Sequence, residues 1–477
     1  MTHSTAGTPH APEHTAPPPD PRRWAALALV CLAQFMLILD VTVVNVALPD
    51  MAADLGLGRE ALTWAVTAYT LCFGGLMLLG GRLADAFGAR RTLLAGLAVF
   101  TTASLVAGLA DSAPQLLGGR IAQGVGAALL SPSALSIVTT TFHGAERNKA
   151  LGVWAAIGGS GAAAGVLVGG ALTDGPGWQW VFYVNVPVGL LVMAALPAFV
   201  TARALQPARL DVPGALLVTG GTGALIYGLV EAGDAGWADP ATLLPLAGAV
   251  VAYVLFAIAE RASQAPLMDL RMFTRRPVLA GAFLMLTATA LLIAFFFLGS
   301  VYLQHLRGFS ALKAGLFFLP VAVATGIGAH LGSRFVGRIG SRTTAVTGML
   351  IAAVGTAPLT RLSETGNVYA VLLPGFAVAS LGIGAVLVTA TTTALAMVDH
   401  HEAGLASGVV NTFHEVGGSI GVAVVSTVAA SGIERGTVGG FTDAFTVCAV
   451  AAAASAAVAL GLVPRGKPQV TGGPHVH

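Results

Sequence analysis

Apolar stretches of roughly 18 to 25 residues recur along almost the whole chain, separated by short segments that hold nearly all of the charge. Such a stretch crosses about 30 Å of hydrocarbon as a helix, whereas barrel strands would be half as long and would alternate apolar with polar residues. The pattern predicts spans at 24–48, 62–80, 92–110, 115–140, 148–172, 181–200, 212–231, 241–259, 277–303, 314–332, 344–360, 368–395, 403–430 and 441–463. The expected fold is therefore an all-α polytopic membrane protein of about fourteen transmembrane helices. Composition agrees: 55% hydrophobic and 10% charged residues, with mean hydropathy +0.81, leave too little polar surface to cover a water-soluble globule of 477 residues.

Charge placement orients these spans. With the N-terminus inside, inner segments hold 18 Lys and Arg, outer segments hold 5, and Arg120 lies within a span. Cations crowd cytoplasmic loops, so both termini are expected in the cytoplasm of a bacterial cell, with the chain in its inner membrane. A net charge of +2 sorted in this way says little about partners, and no basic patch suggests nucleic acid. Residues 1–21, rich in Pro, His and Thr, read as a disordered tail. No small-residue cleavage site follows them, so the first span is expected to be retained. Cys31, Cys72 and Cys448 fall in spans and match no metal spacing, which makes them core thiols. His400-His401-Glu402 reads as a solvated turn; no metal and no cofactor is expected.

An internal repeat divides the chain. Gly88-Ala89-Arg90-Arg91-Thr92 returns 252 residues later as Gly340-Ser341-Arg342-Thr343-Thr344, and Arg82 maps to Arg334 at the same offset. Gly124-Val125-Gly126-Ala127 likewise pairs with Gly382-Ile383-Gly384-Ala385. Two six-helix bundles with two extra helices inserted between them fit both matches. The expected units are a tail at 1–21, an N-terminal bundle at 22–200, the inserted pair at 201–260, a C-terminal bundle at 261–463 and a second tail at 464–477. The copies differ in charge, since Asp85 aligns with Gly337 and Arg120 with Val378. Coupling chemistry is therefore assigned to the N-terminal half.

The run Gly81-Arg82-Leu83-Ala84-Asp85-Ala86-Phe87-Gly88-Ala89-Arg90-Arg91 is read as a short inner loop. Gly81 and Gly88 permit a tight turn, Asp85 can cap a helix or hold an Arg across a closed interface, and Arg90 and Arg91 complete a candidate conformational switch. The plainer reading is a charged topology loop. Three more runs stand out: Leu39-Asp40-Val41-Thr42-Val43-Val44-Asn45-Val46-Ala47-Leu48-Pro49, Arg120-Ile121-Ala122-Gln123-Gly124-Val125-Gly126, and Trp178-Gln179-Trp180-Val181-Phe182-Tyr183-Val184-Asn185-Val186-Pro187. Together they resemble the fourteen-helix drug:proton antiporter branch of the major facilitator superfamily, over nearly everything from Trp24 to Pro464. Ala86 and Ala89 depart from loop positions that are usually basic in that family. In the fifth span Gly165 is followed by Val166 and then Gly169-Gly170, without the family's Gly-Pro. Gly161, Gly165 and Gly169 still put a smooth strip on one helix face, which admits a close neighbour.

An ionisable group at a helix centre costs about 2.5–3.5 kcal/mol on insertion scales, so Asp40, Arg120 and Glu415 need explanations. Asp40 lies about 12 Å and Arg120 about 9 Å below the outer end of its span, at 1.5 Å per residue, so they can pair. Protonating Asp40 would free Arg120, a charge-controlled contact suited to proton coupling; a static ion pair is the competing reading. Asn411, His414 and Glu415 share a helix face and form a candidate substrate-binding stripe, with Glu415 as counter-ion for cations. A glutamate hydrogen-bonded between helices is the competing reading.

Gly417-Gly418-Ser419-Ile420-Gly421 fits a hydrolase pattern but lies inside a membrane helix, and no phosphate-binding loop occurs. The chain is therefore read as no enzyme but as a secondary transporter driven by an ion gradient. The resemblance implies a proton-driven efflux antiporter of small lipophilic or cationic compounds, such as drugs or antibiotics. Its partners are then a small-molecule substrate, protons and the lipid bilayer, and it is expected to work as a monomer. An uptake symporter is the alternative on the same fold, followed by a non-transporting sensor; a channel is disfavoured because the acidic residues do not form rings.

Overall fold

A computed structural model of the chain describes residues 22–142, 144–201, 211–263, 266–267, 270–363, 366–396 and 403–466. Fourteen long helices dominate, and no strand occurs among the described residues. They are α1 Arg23–Leu55, α2 Arg59–Phe87, α3 Ala89–Gly108, α4 Ala113–Thr141, α5 Gly144–Asp174, α6 Trp180–Phe199, α7 Val212–Glu231 and α8 Pro240–Ala262. The second half continues with α9 Arg276–Leu306, α10 Ala311–Ile339, α11 Ser341–Arg361, α12 Leu372–Leu395, α13 Ala403–Val428 and α14 Val438–Leu462. Twelve of them are long and apolar enough to cross a membrane; α5 and α13, at 31 and 26 residues, complete the set. The chain is an all-helical multi-pass membrane protein of two six-helix bundles with a helix pair inserted between them.

Short connections force antiparallel neighbours. Gly56 closes α1 at φ 62°, and Gly88 and Gly340 are the single residues linking α2 to α3 and α10 to α11, at φ 87° and 85°. Only glycine takes such left-handed torsions without strain, and these two are the repeat partners in the sequence. The same symmetry appears in packing. Gly96 of α3 lies against the Gly126 carbonyl of α4, and Gly348 of α11 against the Gly382 carbonyl of α12.

Contacts define two ends. Arg23 pairs with Glu146 at 2.8 Å and Arg342 Nε donates to the Val463 carbonyl at 2.7 Å, at what we call the terminal end. Arg59, Asp234 and Glu434 meet at the opposite, far end. The far end is where the halves are sealed. There Gln304 of α9 donates to the Val46 carbonyl of α1 at 2.8 Å, and the Asp174 carboxylate of α5 accepts from the Ala311 and Leu312 amides that begin α10, at 2.9 and 3.0 Å. Thr63 and Thr70 of α2 meet Ser426 and Ser419 of α13, each at 2.5 Å. The apolar packing follows the same division: residues 43–48 of α1 share one continuous core with the C-terminal half, while Leu27, Val30 and Leu37 belong to a separate core with Leu93, Leu97 and Ile137. Of the inserted pair, α7 packs on α2 and α13, whereas α8 rests on α7 and exposes Leu244, Val250 and Val251.

The run from Gly81 to Arg91 is not a loop. It is helical up to Phe87 and again from Ala89, because Leu83, Ala84 and Ala86 continue the helical pattern and only Gly88 breaks it.

Candidate coupling and substrate site

Asp40 sits midway along α1 with no exposed surface, and Arg120 of α4 is 1% exposed. Asp40 Oδ2 accepts from Arg120 Nη1 at 2.5 Å, while Oδ1 accepts from Gln123 Nε2 at 3.0 Å and from Asn185 Nδ2 at 2.9 Å. Arg120 is held from its other side: Nε donates to the Ala65 carbonyl of α2 at 2.9 Å, and Nη1 also reaches Gln123 Oε1 at 2.9 Å. Its guanidinium lies over the Tyr69 ring, 4.4 Å from the centroid. Gln123 Nε2 donates as well to Ser104 Oγ at 2.8 Å, so five helices converge on one carboxylate. Arg120 and Gln123 stand three residues apart and so share one face of α4.

The network explains how two charges persist within a membrane span. A buried ion pair offsets its desolvation only when further hydrogen bonds fill the remaining lone pairs and protons, as Gln123 and Asn185 do on Asp40 Oδ1 and the Ala65 carbonyl and Gln123 do on Arg120. Two polar atoms stay unpartnered beside it, Asn185 Oδ1 and the Tyr69 hydroxyl.

The glycine strip on α5 faces this site. A side chain at Gly161 would meet Ile38 and Phe35, one at Gly165 would meet Thr42 and the Leu39 carbonyl, and one at Gly169 would meet Val43, all on α1 around Asp40. Gly170 points elsewhere, against Ala311 and Leu312 of α10, where the halves join.

Glu415 lies on the other half. Its side chain is 13% exposed, its Cβ packs on Gly74 of α2, and its Oε1 lies 3.2 Å from Nδ1 of His414, which is 41% exposed. Asn411, a turn earlier, is exposed. The structure thus brings His414 and Glu415 together at the α2–α13 seam, with Asn411 one turn away on the same helix and without a hydrogen bond to them among the described residues. Phe413 beside them packs against Phe273, with ring centroids 5.8 Å apart and planes tilted by 55°.

The candidate switch residues are spread out. Asp85 is exposed on the last turn of α2, caps no helix and makes no ion pair among the described residues. Arg90 is partly covered and Arg91 exposed on the first turn of α3. Arg82 Nη2 instead donates to the Pro266 carbonyl at 2.7 Å, which ties α2 to the segment leading into the second half. Gly81 has room for a side chain, which would touch only Pro132; its neighbour Gly80 lies directly against the Ala128 carbonyl of α4. Gly80, Gln123, Asn185, Ser104, Tyr69 and Arg59 are site or packing residues that sequence reasoning passed over. Gln123 and Asn185 stood inside the quoted motifs, and helical spacing from Arg120 would have found the first.

A bundle of paired six-helix halves, with a carboxylate–guanidinium pair buried in the first half and, among the described residues, none at the matching place in the second, is the architecture of a membrane transporter. The chain belongs to the Major Facilitator Superfamily, which residues 30–422 match. It is 42% identical over 418 residues to the puromycin resistance protein pur8 of Streptomyces alboniger, covering 86% of this chain and 82% of that one. The cephamycin export protein CmcT of Amycolatopsis lactamdurans is 36% identical over 413 residues, with 85% of each chain covered. Among solved structures, a bacterial homologue of the human lysosomal transporter Spinster, inward-facing and occupied, superposes with TM-score 0.64 at 17% identity, over 93% of this chain and 98% of that chain. At that identity the likeness concerns the fold alone.

Proposed function

We propose that this protein is a proton-driven exporter of small lipophilic or cationic compounds, such as antibiotics or related metabolites. It works as a monomer in a bacterial inner membrane, with both termini in the cytoplasm. The working units are residues 22–200 and 261–463, which rock about the substrate while 201–260 rides with them. The observation that carries the reading is the Asp40 network, because a carboxylate and a guanidinium without solvent contact in membrane spans are costly and are kept where charge must cycle. The names of the relatives, resistance and export proteins for puromycin and cephamycin, support the direction and the substrate class.

The chemistry of one cycle follows from the hydrogen bonds. With Asp40 ionised, Arg120, Gln123 and Asn185 hold it. When a proton arrives, Arg120 loses its counter-charge and keeps only the Ala65 carbonyl, Gln123 and the Tyr69 ring. Asn185 can then turn its unpartnered Oδ1 toward the new O–H, so the ring satisfies either protonation state with one amide rotation. The proton reaches Asp40 from the outer side when the far end is open. The freed α4 face no longer pins α1 and lets the far end seal, and loss of the proton to the cytoplasmic side restores the ion pair, so the proton moves inward as substrate moves out. Glu415 serves as counter-ion for cationic substrates at the α2–α13 seam. Everted vesicles energised with a proton gradient test the proposal: uptake of a cationic or neutral antibiotic should collapse on adding an uncoupler. Accumulation that survives the uncoupler would remove proton drive, and accumulation only in right-side-out vesicles would make the protein an uptake symporter.

A further inference from the structure

At the terminal end, an open recess of about 550 Å³ is lined by Arg276, Arg342, Leu460, Gly461, Pro464 and Arg465. Its three guanidiniums come from three places: the first turn of α9, the first turn of α11 and the segment after α14. Among the described residues none of the three makes an ion pair. Arg342 spends only Nε, on the Val463 carbonyl that ends α14, and this contact fixes its remaining donors in place. The opposite wall is apolar and outward-facing, since Leu460 is 55% exposed on a helix that crosses the membrane.

The repeat places one of these cations in the second half without a carboxylate at the position that has one in the first. Arg342 is the second copy of Arg90, and where the first copy has Asp85 the second has Gly337. The C-terminal half thus keeps an arginine on the first turn after the single-glycine link and has no carboxylate where the first half has Asp85. A membrane protein needs cations at its cytoplasmic end for orientation alone. Orientation does not require three of them to converge on one recess beside a lipid-facing leucine.

We propose that this recess binds the phosphate headgroup of an anionic phospholipid, with its acyl chains running along Leu460 and α14. Guanidinium pairs with phosphate through two parallel N–H···O bonds, which suits Arg over a bare positive charge. A zwitterionic lipid presents the same phosphate with a compensating ammonium and gains less. The lipid bridges α9, α11 and α14, so it belongs to the C-terminal half and leaves the Asp40 network untouched.

The full-length protein in detergent, titrated with phosphatidylglycerol and separately with phosphatidylcholine while bound lipid is counted by native mass spectrometry, tests this. Phosphatidylglycerol should bind at least tenfold more tightly. In Arg276→Gln/Arg465→Gln, which keeps the Arg342 contact to Val463, that affinity should fall roughly 25-fold, given about fivefold per basic residue near a membrane surface. Phosphatidylcholine binding should fall much less. Arg90→Gln/Arg91→Gln removes as much charge from the same end and should leave binding intact. Three results overturn the proposal: equal affinity for the two lipids, equal loss in both double variants, or inorganic phosphate competing at micromolar concentration with no preference between lipids, which would assign the recess to a free anion.

Discussion

Arg59 offers the sharpest test of how the far end stays shut. Its side chain is 2% exposed and joins three parts of the molecule: α2 of the first half, Asp234 of the connection between α7 and α8 at 2.6 Å, and Glu434 before α14 at 3.5 Å. Nη2 also donates to the Val230 carbonyl at 3.2 Å. Replacing it by Gln removes the charge that both carboxylates face. These carboxylates are 45% and 53% exposed, so they rehydrate and the full penalty of a stranded buried charge does not apply. What remains is one charge-assisted hydrogen bond and a weaker attraction, together about 1–2 kcal/mol. Placed on the equilibrium between sealed and open far ends, that amounts to roughly a 5- to 30-fold shift. The readout is alkylation of Thr63→Cys, a buried position one turn further in that contacts Ser426, by a water-soluble maleimide after Cys31, Cys72 and Cys448 have been replaced by Ala. Arg59→Gln should speed labelling by that factor, and Asp234→Asn should act in the same direction with smaller effect. An unchanged labelling rate in correctly folded Arg59→Gln would refute the reasoning. Acceleration by the arginine variant alone would mean that Arg59 acts by filling space.

Four further outcomes are expected. Asp40→Asn should abolish uncoupler-sensitive export while folded protein remains in the membrane, since Asn185 can turn its free oxygen to the new amide; Arg120→Ala should be equally damaging, and normal efflux by either would reject the switch. Gly165→Val should force α5 away from Thr42 and Leu39 at a cost of about 1–3 kcal/mol, lowering thermal stability and transport together, whereas Gly81→Ala should do neither. Glu415→Gln should lose monovalent cationic substrates and keep neutral ones in vesicle assays; equal loss of both would make the residue structural. Reporter fusions at His477 and within 233–239 should report opposite sides of the membrane, and the same side for both would remove the proposed orientation.

Much of this architecture was legible because bilayers impose a single length on a spanning helix and sort cations by side. The pairing of Asp40 with Arg120 was legible from depth alone, since two charges at similar height in neighbouring spans have few other ways to be tolerated. Their polar surroundings were not. Asn185 lies 145 positions from Asp40 and reaches it only because α6 folds back on α1. Ser104 and Tyr69 carry no charge or periodic signal to distinguish them from core residues. The motif around Asp85 misled because glycines and charges look like a loop, yet Gly88 alone suffices to turn the chain and every other residue there tolerates a helix. Gly80, which bears the close contact with α4, is invisible beside Gly81 until the helix phase is known.

The site and the packing are one device. Gly161, Gly165 and Gly169 let α5 lie directly on the stretch of α1 that carries Asp40, and Gly170, one residue further on, faces α10 across the join between halves. A movement of α1 that follows a change in the charge of Asp40 is then expected to reach α5 through the Leu39 carbonyl and the Val43 backbone, with the Thr42, Ile38 and Phe35 side chains packed between. Asp174, at the end of α5, holds the first amides of α10, so the same helix carries that movement to the far-end seal. Bulk added at Gly165 would loosen the first contact and bulk at Gly170 the second. The strip thus needs smoothness on two adjacent faces, which explains why Gly169 and Gly170 stand together where a strip for a single neighbour would need only one glycine per turn.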